Sequence, residues 1–117
     1  MSKVITSPIK KWPGTVTLSD PLTYPQFFAV EDAITEGNRL VEEAKEAGKE
    51  ISQQRYTAAV IGGVLKCVEA HDLKGLPIPL MPDNFPASPA LSSMRLASWL
   101  IEEVTTIYTS EDESPNE

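Results

Sequence analysis

Proline placement decides where this chain can be helical. Its ten prolines fall at 8, 13, 21, 25, 77, 79, 82, 86, 89 and 115. Proline lacks the amide that a helix interior needs, and its ring clashes with the preceding turn. Helix interior is therefore confined to two proline-free windows, 26–76 and 90–114, with proline admitted only in a first turn. The segments outside them are otherwise strands, turns or irregular chain.

Ahead of the first window, Val4-Ile5-Thr6 and Thr15-Val16-Thr17-Leu18 are short β-prone runs. In the second, Val16 and Leu18 alternate with threonines, the period of a half-buried strand. Pro13-Gly14 is a turn dipeptide just before it. The pattern predicts a short hairpin or an extended arm, held to an edge position by the flanking prolines.

The first window opens on Thr23-Tyr24-Pro25-Gln26, a capping box with proline in the first turn. Phe27, Val30, Ile34, Gly37, Val41 and Ala44 then recur at alternating spacings of three and four. That is one apolar stripe on a helix over roughly 24–47. Gly37 lies inside the stripe, where a missing side chain would allow a neighbouring backbone to come close. A second helix is predicted over roughly 51–70, apolar on most sides and so central in the packing. Its Gly62-Gly63 pair costs up to about 2 kcal/mol relative to alanines, which packing must offset unless the helix kinks.

Between the windows, residues 71–88 hold four prolines among Leu76, Ile78, Leu80, Met81 and Phe85. So apolar a segment reads as a strap packed along the helices. Ser88-Pro89 marks the third helix, with serine as N-cap and proline at the first helical position. Its stripe is Ala90, Met94, Ala97, Ile101, Val104 and Tyr108, ending near 109. The expected architecture is mainly α: a three-helix domain over 1–109 with a short N-terminal β-hairpin or extended arm and a proline-rich strap. A disordered acidic tail is expected over 110–117.

The charge distribution narrows the partners. The formal net charge is −7, and six of the acids lie at 102–117 with no lysine or arginine among them. Upstream, ten basic residues face eleven acidic ones. A chain of this sign lacks the cationic surface that nucleic acid or an anionic membrane requires. No apolar run approaches the roughly 20 residues of a membrane span, and the N-terminus lacks the apolar core of a signal peptide. With Cys67 the one cysteine, no internal disulfide can form. Cytoplasmic synthesis is the resulting expectation.

Catalytic equipment is sparse. His71 is the only histidine, read as a C-terminal cap on the second helix. Cys67 sits among Val64, Leu65 and Val68 as a small buried hydrophobe; the i,i+4 relation to His71 lacks the third group a nucleophilic site needs. One cysteine and one histidine cannot assemble a zinc site, and no phosphate-binding glycine motif is present. No enzyme activity, cofactor or metal is expected. What remains is a protein-binding surface, with the aromatic residues Trp12, Tyr24, Phe28 and Trp99 as the candidate interface and Phe27 as a further aromatic at the start of the first helix.

The stretches SPIKKWPGTVTLSDPLTYPQ and DNFPASPALSSMRLASWLIEEV, with the closing Ser114-Pro115-Asn116-Glu117, resemble small proteins of the tail modules of long-tailed bacteriophages. The family is that of the phage tail assembly chaperones. The resemblance implies a small, helical, acidic protein without catalytic residues. It implies binding to the long tape-measure protein and recruitment of tail-tube subunits around it in the host cytoplasm, in some members with a longer frameshifted form. A structural virion component, such as a head–tail connector or tail-completion subunit, is the alternative, and either role admits a homo-oligomer.

Overall fold

A computed structural model of the chain describes residues 2–112. In order, the elements are β1 (Ser2–Thr6), β2 (Thr15–Ser19), α1 (Tyr24–Glu46), α2 (Gln53–Leu65), β3 (Val68–His71), a single 3-10 turn (Pro82–Asn84) and α3 (Ala90–Asp112). The three strands form one antiparallel sheet in the order β1-β2-β3. The fold is therefore α+β, which corrects the expectation of a mainly α domain.

The correction comes from residues 66–71. Their apolar content reads locally as the end of a helix, but α2 stops at Leu65. Lys66 serves as its C-cap, and the Cys67 amide donates to Val64 O at 3.0 Å. Val68–His71 then pairs with β2, His71 opposite Val16 and Ala70 opposite Thr17, with a bulge between Ala70 and Val68. The partner strand is some fifty positions away, and short-range periodicity carries no record of it. His71 is accordingly a strand residue rather than a helix cap.

The N-terminal runs form a hairpin, with Ile5 opposite Val16 and Lys3 opposite Leu18. β2 is central rather than an edge strand, because Pro13 and Pro21 lie outside its five residues and withhold no amide from the ladder. Val16 and Leu18 point into the core at 1% and 0% exposure, as their alternation requires.

The capping box of α1 forms: Thr23 Oγ1 accepts from the Gln26 amide, and Gln26 Oε1 accepts from the Thr23 amide at 2.8 Å. The same Gln26 donates through Nε2 to Ser19 Oγ at 2.9 Å and to Lys66 O at 3.1 Å. One side chain thus ties the start of α1 to the sheet and to the end of α2. Glu69 on β3 accepts from Ser19 at 2.9 Å and from Ser2 at 2.6 Å, bridging all three strands. These two hydroxyl donors hold its carboxyl below the ordinary 4.5. A depressed folded-state value stabilises above the unfolded value and fades as pH falls through the folded one. The urea midpoint of Glu69→Gln is expected to lie slightly below wild type at neutral pH. That gap should close on acidification below about pH 4.5.

α2 is the central helix, packed on both α1 and α3, which touch each other little. The α1–α2 crossing is close because two glycines meet it. A Cβ on Gly37 would lie 2.8 Å from the Tyr56 ring, and one on Gly63 would lie 2.4 Å from Ala29 O. Sheet and helices enclose one core that includes Leu18, Val30, Val60, Val64, Leu96 and Leu100. Each such buried side chain is worth about 1.5–3 kcal/mol of apolar transfer.

The strap packs only in part: Leu73 and Leu80 are buried, while Ile78 and Met81 stay exposed. α3 starts one residue later than its sequence signal suggests. Pro89 O, not Ser88, takes the first helical bond, from the Ser93 amide at 3.0 Å. The helix continues through Asp112, past the expected end at 109. Residues 113–117 of the predicted tail lie outside the described residues.

Candidate protein interface

The four candidate aromatics do not converge on one site. Trp12 is 5% exposed and belongs to the core, which corrects its assignment to an interface. The hairpin connection folds inward at this point: Ser7 donates to Gly14 O at 2.9 Å, and the Trp12 amide to Ile9 O at 3.1 Å. The Lys74 amide donates to Pro13 O at 3.0 Å, docking the connection onto the strap and setting Trp12 against Gly75. An indole flanked by lysines and a proline looks exposed in sequence, and only this docking buries it.

Tyr24 and Phe28, one turn apart on α1, are 75% and 42% exposed. They pack edge to face, ring centroids 4.6 Å apart at 84°. Phe27 turns the other way and stacks on Tyr108 of α3 at 4.7 Å. That contact is one of the few between the outer helices. Adjacent phenylalanines on a helix point about 100° apart, so one serves packing and the other the surface.

Trp99 is half-buried in the wall of a groove of about 770 Å³. α3 supplies one side through Leu91, Met94, Arg95 and Trp99, and the opposite side comes from Pro8 and Ile9 of the hairpin connection. Leu91 is 65% exposed at its end. The groove runs between α3 and the hairpin connection, and Phe28 has no part in it. Residues 91, 95, 98, 99 and 102 form a second face of α3, separate from the buried Leu96, Leu100 and Val104. Reading only the apolar stripe of this helix hides that face, because Arg95, Ser98 and Glu102 interrupt it.

A second groove, of about 310 Å³, lies where no sequence motif marks a site. β3 forms one wall and strap residues 78–82 the other. His71 spans its end. Its Nδ1 accepts from the Leu73 amide at 3.1 Å, and Nε2 lies 2.8 Å from Pro77 O. An Nδ1 that accepts leaves the proton on Nε2, which then donates to Pro77 O. His71 thereby pins the strap to the sheet, a structural role for the only histidine. Cys67 is buried. No group of three or more histidine, cysteine or carboxylate side chains among the described residues could hold a metal ion. No helix among them is long and apolar enough to cross a membrane.

The chain matches no protein-family model, no curated protein and no solved structure.

Proposed function

We propose that this chain is a protein-binding module that acts without chemistry, in the manner of a phage tail assembly chaperone. Its client is then an apolar segment of a tape-measure protein, kept soluble in the host cytoplasm until tail-tube subunits assemble around it. The observation that carries this reading is the groove along α3, with Trp99 in its wall and Leu91 exposed at its end. A groove of apolar floor and charged rim accepts the apolar face of a client helix, with tryptophan as the anchor and Arg95 and Glu102 at the edge. A net charge of −7 supports the solubility of the complex through mutual repulsion.

The test is co-expression with the tape-measure protein encoded in the same gene neighbourhood, scored for client solubility and co-purification. Wild type is expected to bring the client into solution. Trp99→Ala, and separately the more exposed Leu91→Ser, should leave the circular dichroism spectrum unchanged. Trp99→Ala should lose about 2 kcal/mol of client affinity, roughly thirtyfold. A folded Trp99→Ala protein with undiminished affinity excludes the groove as the client site. A client that stays insoluble beside a discrete ring of this protein alone favours a structural virion role instead.

A further inference from the structure

We infer that the groove between β3 and the strap binds an extended segment of a partner protein, which adds to the sheet as a fourth strand beside β3. The inference rests on the protein-binding reading only in that the occupant is a polypeptide. It concerns a different surface from the Trp99 groove.

Among the described residues, β3 has a strand neighbour on one side only. The register shows which of its backbone groups are left over. The Asp72 amide donates to Thr15 O at 3.0 Å, and His71 pairs with Val16 one position further along. In an antiparallel ladder, bonded and non-bonded pairs alternate, so the N–H and C=O of His71 point away from β2, towards the open edge. Chain lies beside that edge already, but it cannot complete the ladder. The strap carries prolines at 77, 79 and 82, each without an amide to donate, and the Met81 amide is engaged with Asn84 Oδ1 at 2.7 Å. The strap therefore stands off as a second wall. Ile78, 72% exposed, and Met81, 48% exposed, line the space between.

The shape selects the occupant. A strand sits about 4.8 Å from its neighbour, whereas a helix with side chains is about 10 Å across. An added strand would direct alternate residues, about 7 Å apart, into the groove against Leu65, Ile78 and Met81. A second copy of β3 is a poor occupant: the strand is four residues long and bulged, and such edges resist pairing with themselves. Charge narrows the partner further. Lys66 lies at the groove's end, is exposed, and forms no ion pair among the described residues. The Glu69 carboxylate is already engaged by Ser2 and Ser19. The fitting segment alternates apolar and small polar residues and carries an acidic residue beside Lys66.

The test titrates the full chain with a nine-residue peptide alternating valine and threonine and ending in two aspartates, followed by amide exchange and chemical shifts. Saturation is expected to slow exchange of the His71 amide at least tenfold. The same peptide N-methylated at the alternate amides that face β3 should bind at least tenfold more weakly, as should the unmodified peptide to the double variant Ile78→Lys, Met81→Lys, whose changes lie on the surface. Lys66→Glu should weaken binding severalfold at low salt, with the difference vanishing at high salt. Equal binding of the N-methylated peptide, unchanged His71 exchange at saturation, or shifts confined to the α3 face would overturn the inference. In the tape-measure co-expression, a double variant that solubilises the client as wild type does removes this groove from client binding and leaves the chaperone reading standing. If wild type itself fails there, the chaperone reading falls, and the peptide titration still decides the groove.

Discussion

Trp12→Ala is expected to remove about 3–5 kcal/mol of stability, the range for emptying a buried aromatic site. The indole is 5% exposed and packs where the hairpin connection, the sheet and the strap meet. Alanine leaves a cavity that these segments can close only in part, since backbone bonds from Ser7, the Trp12 amide and Lys74 hold the surrounding chain. For a domain of this size the loss is a large fraction of the whole folding free energy. The urea midpoint should fall by about 2 M, given a slope of about 1–3 kcal/mol per molar, or the cooperative transition should disappear. An unchanged midpoint would show that the indole is not packed in the core. Trp99→Ala, at a half-buried position, provides the contrast: a much smaller shift in midpoint together with a large loss of client affinity.

The adjacent glycines of α2 are expected to respond to alanine with opposite signs. At Gly63 the new Cβ would lie 2.4 Å from Ala29 O and 2.8 Å from Ala33 Cβ. Neither contact is with the mobile end of a side chain, so relief requires α1 and α2 to move apart. The overpacking cost is up to about 3 kcal/mol and outweighs the helix-propensity gain of about 1 kcal/mol. Gly63→Ala should destabilise by about 2 kcal/mol net. At Gly62 the added Cβ meets only Pro82 Cγ, at 3.8 Å, an ordinary contact. Gly62→Ala keeps the propensity gain and should stabilise by about 0.5–1 kcal/mol. Parallel urea titrations of the two variants decide the matter, and a shared sign would show that the helix crossing is looser than these distances require.

Much of the local structure was legible from residue order. Thr23 and Gln26 mark the start of α1 because a capping box is a contact within four residues. The prolines bound the strap, and the apolar period locates α1 and α3, because both effects act within one or two turns. The candidate site was less legible. Tyr24 and Phe28 do lie on the surface and Trp99 does line a groove, yet Trp12 is buried and the groove beside β3 had no sequence signal. That groove depends on a strand whose neighbour is distant in the chain, and on a histidine whose two partners, Leu73 and Pro77, are set by how the strap folds back.

The division has a physical basis. By itself the sequence determined three helices, a β-prone N-terminus, an apolar strap and an acid-rich C-terminal end, since proline exclusion, capping and periodicity are properties of neighbouring residues. Only the tertiary structure decided that residues 68–71 are strand, that β2 is central, and that Trp12 is core while Ile78 and Met81 stay exposed. Those outcomes turn on hydrogen bonds and burial between segments far apart in the chain. For residues 66–71 the local pattern favours continuing the helix, and pairing with the open edge of β2 overrides it.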